Sequence, residues 1–355
     1  MLNFNRIDHT PMPPFRGQSA ECYWEDAFES CPDVVRITAD NFSLLRDLLA
    51  GDDDEDSFLT SPVYYAFTGR LGLWLYRRRG AFLPVCWHPN LPGVVLVFPL
   101  RGRPNATILN DLLHDMPEPP QGVRYSRMRP DADAAALLNR VENTARRELT
   151  LEPMIEPILD WRFPIQILQT GRVAALSGGK YMHVRNRMRQ LKGCDVKIKP
   201  FSAAGHRRAQ AGLLHRWANH NAANRDEYES LSAPYESLFA WSLEKDSGLS
   251  GLMIFVDDAL QAIGLWDVSN AERKTANLFA NFCNVGINGL SEMLIVKSCE
   301  ALSAQGVGYL NLGGSETANL DRFKAKFDPA LSLERCSLDI AIHDEAAKPL
   351  GVVSA

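Results

Sequence analysis

The spacing of apolar residues along the chain predicts alternating helices and strands. In the first half, Leu44, Leu45, Leu48 and Leu49 mark the buried face of a helix that ends at Gly51. Runs rich in β-branched and aromatic residues, bounded by turn residues, predict strands. The strands are Leu71–Tyr76, Phe82–Trp87, Val94–Pro99, Val123–Met128, Met154–Leu159 and Pro164–Gln169, with helices at Ala106–Met116 and Asp133–Leu149 between them.

The second half repeats this order of elements. Ala209, Leu213 and Trp217 recur at fourfold spacing and predict a helix over His206–His220. The further elements are a helix at Tyr235–Leu243, strands at Leu252–Val256, Leu260–Ser269 and Thr275–Asn284, a helix at Leu290–Gln305, a strand at Gly308–Leu312, a helix at Glu316–Phe327 and strands within Leu333–Ile342. The same succession thus appears twice, which predicts an architectural repeat.

Two domains are also expected from the length, because 355 residues exceed what one core usually serves. The repeated order is similar to that of acyltransferases of the GNAT type. We therefore predict an α+β (mixed α/β) fold of two tandem GNAT-like domains, each with a mostly antiparallel mixed sheet flanked by helices. The predicted divisions are an irregular N-terminal arm (1–30), an N-terminal domain (31–176), a basic connecting helix (177–193), a C-terminal catalytic domain (194–345) and a tail (346–355).

The connecting helix has an unusual charge pattern. Gly178–Gly193 reads GGKYMHVRNRMRQLKG, which begins with two glycines, contains no acid and ends at a glycine suited to a left-handed cap. Between residues 161 and 225 there are 13 Lys/Arg residues and one acid, Asp195, a balance of +12 in a chain whose total is −5. This segregation indicates a polyanionic partner, and a solvated basic helix is the alternative. The apolar stripe that would dock the helix on a core is Tyr181, Val184, Met188 and Leu191.

Composition excludes several other classes of protein. No apolar run reaches the roughly 18–20 residues of a membrane span, and the N-terminus shows no secretion signal. The seven cysteines form no CxxC pair and are expected to be reduced, so we predict a cytoplasmic protein without a transmembrane segment. Cys86 and His88 lack further ligands at zinc spacing, so no metal is predicted. The acidic cluster Asp52–Asp56 is predicted to be a solvated loop.

A second candidate site lies at Leu310–Pro329, which reads LNLGGSETANLDRFKAKFDP. A strand ends there at a Gly-Gly turn, and the following helix carries two phenylalanines and two lysines near its end. A glycine turn lets the backbone approach a ligand closely, and a lysine on the next helix can stabilise a developing negative charge. Surface lysines beside packed phenylalanines are the alternative. The candidate pocket residues at the turn are Gly313, Gly314 and Ser315.

These two stretches resemble the motifs of a known family. GGKYMHVRNRMRQL is similar to the K-Y-x-x-x-R-N-x-x-x-x-[FL] signature of the phosphatidylglycerol lysyltransferase C-terminal domain. YLNLGGSETANLDRFKAKFDP resembles the terminal motif of that family and the L-x-x-F-K-x-x-F segment of Fem-type peptidyltransferases. Both groups are tandem-GNAT proteins that transfer an amino acid from aminoacyl-tRNA to an amine or a hydroxyl. The resemblance covers residues 170–335 by motif and the first half by architecture alone.

The resemblance implies a role for individual residues. In the Fem-like enzymes the matching Phe-Lys pair lies at the 3′ end of the tRNA, so Lys324 is implied to stabilise the oxyanion and Phe323 to stack on the terminal adenine. Basic side chains would hold tRNA phosphates. The predicted tRNA-binding residues are Lys180, Arg185, Arg187, Arg189 and Lys192, of which Lys180 and Arg185 match the family signature together with Tyr181 and Asn186.

The substrate pocket and its general base are less well defined by the sequence. The strand Thr275–Asn284 carries Asn277 and Asn281 where an acidic or histidine base would be expected. We therefore treat Asn277, Asn281, Tyr181 and Asn186 as pocket candidates and leave the base open. No cofactor is implied beyond aminoacyl-tRNA as a co-substrate.

Three functions are compatible with these observations. The first is an aminoacyl-tRNA-dependent aminoacyltransferase acting on a small molecule, a peptide or a lipid headgroup. The lysyltransferases carry a large integral-membrane portion with no counterpart in this sequence, so we expect a soluble acceptor. The second is a CoA-dependent GNAT acyltransferase acting on a small amine. The segment before the long helix, residues 284–289, lacks the [RQ]-x-x-G-x-[GA] spacing of a pyrophosphate loop, which weakens that alternative. The third is a non-catalytic RNA-binding or membrane-surface-binding protein.

Overall fold

Two seven-stranded sheets organise the protein. The computed structural model describes residues 28, 30–31, 33–50, 54–69, 72–87, 94–98, 106–115, 122–128, 149–157, 163–222, 233–244, 247–269 and 274–344. The first sheet has the order β1-β2-β3-β4-β5-β14-β6 and is antiparallel except between β4 and β5. Its strands are β1 (Val34–Arg36), β2 (Leu73–Arg78), β3 (Ala81–Trp87), β4 (Val94–Val97), β5 (Gly122–Met128), β6 (Leu149–Pro157) and β14 (Cys336–Asp344).

The second sheet has the order β13-β7-β12-β11-β10-β9-β8 and contains one parallel pair, β11 with β12. Its strands are β7 (Ile165–Gln169), β8 (Val196–Pro200), β9 (Ser250–Val256), β10 (Ala259–Ser269), β11 (Thr275–Cys283), β12 (Tyr309–Asn311) and β13 (Leu331–Leu333). The predicted α+β class, with mostly antiparallel mixed sheets and flanking helices, is confirmed.

Helices flank both sheets. They are α1 (Phe42–Leu49), α2 (Pro62–Thr68), α3 (Ala106–Asp115), α4 (Thr170–Ala175), α5 (Met182–Met188), α6 (Arg207–Ala222), α7 (Ala233–Trp241), α8 (Leu290–Ala304) and α9 (Ala318–Ala325). Short 3-10 turns lie at Ala39–Asn41, Ser57–Thr60, Gly179–Tyr181 and Arg189–Leu191. The sequence analysis did not predict α2, which begins with Ser61 as its N-cap and Pro62 at its first position.

The two halves exchange strands. The sequence analysis placed Pro164–Gln169 in the first half, but β7 lies in the second sheet between β12 and β13. The last strand, β14, crosses back and inserts between β5 and β6 of the first sheet. Strand patterns alone do not carry this information, because pairing partners are chosen by tertiary contacts. Consequently, the second sheet is built from one continuous stretch, residues 165–333, whereas the first sheet combines β1 to β6 with β14 from the end of the chain.

The predicted strands on either side of two short turns are confirmed by the backbone. β9 and β10 form a hairpin whose two turn residues, Asp257 and Asp258, both have positive φ, as a two-residue turn of this kind requires. β2 and β3 are joined in the same way through Arg79 and Gly80. The predicted helix Asp133–Leu149 lies outside the described residues except for Leu149, which instead begins β6.

The terminal predictions, the arm at 1–30 and the tail at 346–355, also lie outside the described residues apart from Phe28 and Ser30. Phe28 is fully buried and stacks on Trp74 with their ring centroids 4.7 Å apart. At least this position of the predicted arm therefore belongs to the core of the first half.

One apolar cluster joins the halves. It contains Leu45 and Phe98 from the first half together with Leu213, Ile263 and Phe282 from the second. Side chains of α1, α2, α6 and α7 cover it. Burial of apolar surface between the halves stabilises their relative position, because it removes that surface from water.

Candidate active site and basic surface

The Gly-Gly turn lies where two parallel strands part. β11 and β12 pair only between Thr275–Asn277 and Tyr309–Asn311. β12 then ends and the chain turns at Gly313, whose φ is +68°, while β11 continues along β10 with a bulge at Phe279. A bulge bends a strand locally and adds to the divergence. Ser57 and Phe58 of the first half lie between the diverging strands: Phe58 is 3.9 Å from the position of a Gly313 Cβ, and its ring is 5.3 Å from that of Phe279.

Lys324 lies beneath this turn and holds it. Its Nζ donates to the carbonyl oxygens of Leu312 at 2.8 Å, Gly313 at 3.1 Å and Gly314. Burial lowers the pKa of the Lys324 ammonium to about 8. An ammonium has three donors, and all three are in use. In this arrangement no donor of the Lys324 ammonium remains for a further acceptor.

Phe323 and Ser315 complete the surroundings of the turn. Phe323 is half-buried, with its ring 5.4 Å from that of Phe327 and the ammonium of Lys326 over its face. The Ser315 hydroxyl is buried and has no hydrogen-bond partner among the described residues. The backbone of Ser315 pairs with Phe163. A half-exposed aromatic ring and an unused buried hydroxyl are groups that a substrate can engage.

The bulge places Asn277 and Asn281 on opposite faces of the second sheet. Asn277 is fully buried and faces the 57–61 segment of the first half, where its Oδ1 accepts a hydrogen bond from Ser57 at 2.6 Å. Asn281 is half-buried and accepts a hydrogen bond from the Cys283 thiol, which belongs to the core beneath α8. The structure therefore does not bring these two pocket candidates together.

Two carboxylates of the acidic cluster, Asp54 and Asp56, are not solvated, contrary to our expectation. Asp54 and Asp56 are 2% and 0% exposed. Asp56 accepts two hydrogen bonds from the guanidinium of Arg127, each at 2.7 Å, and caps the 3-10 turn Ser57–Thr60. Arg335 lies 3.5 Å from Asp54. Charge alone suggested solvation, but the paired guanidinium groups make burial of these carboxylates tolerable.

The basic connecting segment docks as predicted. Tyr181, Val184 and Leu191 are buried in the core of the second half, and Gly193 has a φ of +104° at the end of the segment. The opposite face carries Arg187, Arg189 and Lys192, which are exposed and form no ion pair with any described residue. These side chains are the part of the predicted tRNA-binding set that is available to a partner.

The other members of the predicted basic set have partners of their own. Lys180 forms an ion pair with Asp328 at 3.1 Å, and Arg172 forms another with the same carboxylate. Arg185 donates to the carbonyl oxygens of Leu176 and Gly178, at 2.5 and 2.8 Å, and so holds the end of α4. Lys180 and Arg185 thus shape the segment.

The two pocket candidates on the basic segment lie on opposite faces of it. Tyr181 is buried beneath the helix. Asn186 is exposed and accepts a hydrogen bond from Arg189 at 3.0 Å. The structure therefore does not bring Tyr181 and Asn186 together in one pocket.

The basic segment contacts α8 and the region just after α9, the helices that precede and follow β12 in the chain. Its Lys180 pairs with Asp328, which lies four residues after Lys324 and just beyond the end of α9. At its other end, the Arg187 carbonyl oxygen lies against Gly289, the N-cap of α8, where an added Cβ would be only 2.1 Å away. The basic face is therefore fixed beside the elements that carry the Gly-Gly turn.

Sequence reasoning missed a polar cluster at the interface between the halves. Asp267 is 3% exposed and accepts hydrogen bonds from Ser61 at 2.5 Å and from Asn277 at 2.8 Å. Burial raises the pKa of Asp267 to about 6. Ser57 and Asn311 belong to the same cluster. The sequence does contain one indication of this cluster: polar residues recur at alternate positions of β10 and β11, whose remaining residues have the apolar character of core strands.

Residues 167–335 match the profile of the family described as phosphatidylglycerol lysyltransferase, C-terminal. The predicted resemblance is confirmed. The match covers a little under half of the chain and contains both motifs, and with it the expected class of enzyme, an acyltransferase, is confirmed. No curated protein sequence matches the chain.

Solved structures of low sequence identity share the fold over both halves. A conserved protein of unknown function from Bacteroides thetaiotaomicron has a TM-score of 0.63 at 15% identity, covering 88% of this chain and 100% of its own. L-PGS from Bacillus licheniformis has a TM-score of 0.55 at 9% identity, with coverages of 89% and 94%. FemX has a TM-score of 0.54 at 10% identity, with coverages of 88% and 98%. The likeness therefore extends beyond the family match and includes the first half.

None of the helices in the described part of the chain combines the length and the apolar character that a bilayer crossing needs.

Proposed function

We propose that this protein transfers an amino acid from aminoacyl-tRNA to an amine or hydroxyl of a soluble acceptor, in the cytoplasm. One observation carries the proposal. Arg187, Arg189 and Lys192 form an exposed positive face with no acidic partner in the described part of the chain, and Lys180 ties that segment to the end of the helix that bears Lys324. A phosphate backbone bound on this face would bring a nearby RNA end toward the Gly-Gly turn.

The chemistry needs no covalent enzyme intermediate, because an aminoacyl ester is already activated. The acceptor attacks the ester carbonyl carbon, negative charge develops on the carbonyl oxygen, and the 3′ hydroxyl of the terminal adenosine leaves with the proton that the acceptor loses. The Gly314 N–H, which has no acceptor among the described residues, is suited to stabilise that oxygen beside the buried charge of Lys324. Phe323 is suited to stack on the terminal base.

The alternative of a CoA-dependent enzyme has less support. Such enzymes hold pyrophosphate on backbone N–H groups at the start of the central helix. Here the carbonyl oxygen of Arg187 lies against Gly289, the N-cap of α8, and the first turn carries the buried carboxylate of Glu292, which pairs with Lys326 at 3.4 Å. The Arg187 carbonyl oxygen would repel a pyrophosphate at the N-cap. We expect calorimetry with acetyl-CoA to give no binding heat, and micromolar binding would favour the alternative.

The direct test follows the label of mixed ¹⁴C-aminoacyl-tRNA. The acceptors are glycinamide as an amine, glycerol phosphate as a free headgroup, and phosphatidylglycerol vesicles as the same headgroup in a lipid. We expect enzyme-dependent transfer to a soluble acceptor. Transfer to the vesicles alone would correct the acceptor class. The proposal is wrong if no label leaves the tRNA above the rate without enzyme and if filter binding shows no salt-dependent affinity for charged tRNA.

A further inference from the structure

A continuous chain of hydrogen bonds runs through the interface from Asp267 to Lys324. Asn277 Nδ2 donates to Asp267 Oδ1 at 2.8 Å, and Ser57 Oγ donates to Asn277 Oδ1 at 2.6 Å. Asn311 Nδ2 in turn donates to Ser57 Oγ at 3.2 Å. The Gly313 N–H donates to Asn311 Oδ1 at 2.9 Å, and Lys324 Nζ donates to the Gly313 carbonyl oxygen at 3.1 Å. We refer to Asp267, Asn277, Ser57 and Asn311 as the relay.

The carboxylate of Asp267 sets the donor-to-acceptor direction of every hydrogen bond in the relay. A carboxylate can only accept, so the amide nitrogen of Asn277 must face Asp267 and its oxygen must face Ser57. The Ser57 hydroxyl is then committed as a donor to Asn277 and can only accept from Asn311. The oxygen of Asn311 is left for the Gly313 N–H. All four relay residues are at most 3% exposed, so water cannot readily replace a lost partner.

Ser57 is the relay member that comes from the first half, and it is firmly held. Two neighbours of Ser57 also bond to the relay: Asp56 accepts from Asn311 at 3.3 Å, and Ser61 donates to Asp267. The preceding residue, Asp56, is fixed by Arg127, and the following residue, Phe58, packs edge-on against Phe279 at 5.3 Å. Phe58 also lies 3.9 Å from where a Cβ of Gly313 would be. The first half therefore contacts the Gly-Gly turn through both a hydrogen bond network and an aromatic ring.

We propose that Ser57, Asn277, Asn311 and Asp267 are positioning residues for the transfer reaction, which fix the Gly313–Gly314 turn and thereby Lys324. This inference rests on the proposed function. It adds that a residue of the first half helps to position the reacting groups of the second half. The relay residues do not touch the substrate. They act by setting where the turn presents its backbone groups, and displacement of catalytic groups by about 1 Å can cost on the order of 100-fold in rate.

The experiment compares Ser57→Ala, Asn311→Leu and their double variant with Thr170→Val. Thr170 is a matched control, because its buried hydroxyl donates to the carbonyl oxygens of Val307 and Gly308, just before β12 rather than beyond its end. We expect kcat for transfer from mixed ¹⁴C-aminoacyl-tRNA to glycinamide to fall about 10- to 100-fold in both relay variants. The KM for tRNA should stay within about twofold, since the basic face is unchanged.

Two further readouts separate positioning from a general loss of structure. The double variant should lose little more activity than the worse single variant, because both break one chain, whereas independent defects would multiply. Amide hydrogen exchange of the peptide that contains Gly313–Ser315 should speed up in Ser57→Ala and not in Thr170→Val. Exchange needs no substrate, so it tests the link to the turn even if the wild-type protein proves inactive with tRNA, which would refute the proposed function alone.

The inference is overturned by either of two results. One is a kcat for Ser57→Ala and Asn311→Leu equal to that of Thr170→Val. The other is unchanged exchange at the turn in a folded Ser57→Ala protein. If the first result came with a rise in KM, it would assign the relay to binding.

Discussion

Replacing Gly289 by alanine tests whether the basic segment is held in place by its contact with α8. Gly289 has a φ of +83°, and an added Cβ would lie 2.1 Å from the carbonyl oxygen of Arg187. Gly306 provides the control: its φ is +75°, but nothing lies within 4 Å of its added Cβ. Both substitutions carry the left-handed backbone penalty of about 1–2 kcal/mol. Only Gly289→Ala adds a clash with backbone, and overpacking costs about 1–3 kcal/mol more.

The two alanine variants should therefore differ in both stability and binding. We expect Gly289→Ala to lower the Tm further than Gly306→Ala, because it carries the second cost. It should also move α5 away from α8 and weaken the affinity for charged tRNA about tenfold, the equivalent of roughly 1.4 kcal/mol. Gly306→Ala should leave that affinity unchanged. Thermal unfolding and filter binding measure the two effects. Equal Tm values together with equal tRNA affinities for the two variants would refute the reasoning.

Three other predictions concern charge and pH. Arg187→Gln and Arg189→Gln should each reduce the slope of log affinity for tRNA against log salt concentration by about 1 in filter-binding titrations. The control is Lys197→Gln, which should change this slope less because Lys197 is already paired with Asp195 and Asp258. Burial raises the pKa of Asp267 from 3.8 to about 6, so between those pH values the folded state binds more protons than the unfolded state, and the free energy of unfolding falls as pH rises. Asp267→Asn should remove this decrease, which is on the order of 3 kcal/mol. Urea unfolding at pH 4 and pH 7 measures it. Burial lowers the pKa of Lys324 to about 8, so Lys324 loses its positive charge and kcat should fall as pH rises through 8. Lys324→Met should lower kcat about 100-fold and abolish this pH dependence, which a pH–rate profile measures.

The asparagine pair shows how a correct local prediction can mislead about a site. Asn277 and Asn281 are four residues apart on one strand, so strict alternation places them on one face. The bulge at Phe279 reverses the alternation between them, and only one of the two reaches the interface. A bulge is a feature of strand pairing, and its position was not visible in the periodicity of β11 alone.

By itself, the sequence determined the elements and motifs whose causes are local. The hairpins at Asp257–Asp258 and at Arg77–Gly80, the apolar stripe of the basic segment and the succession of elements in each half all follow from spacing, turn chemistry and periodicity within a few residues. The two motifs indicated the family for the same reason, because each is a short run of contiguous chain.

The tertiary structure alone decided which of these elements meet. It exchanged β7 and β14 between the sheets, buried Asp56 against Arg127 and linked Ser57 to Asn311 across 254 positions of the chain. It also committed all three donors of Lys324 to the backbone of the turn. Contacts between distant segments depend on how whole faces pack, and a buried polar group is tolerated only where its partner arrives from elsewhere in the fold.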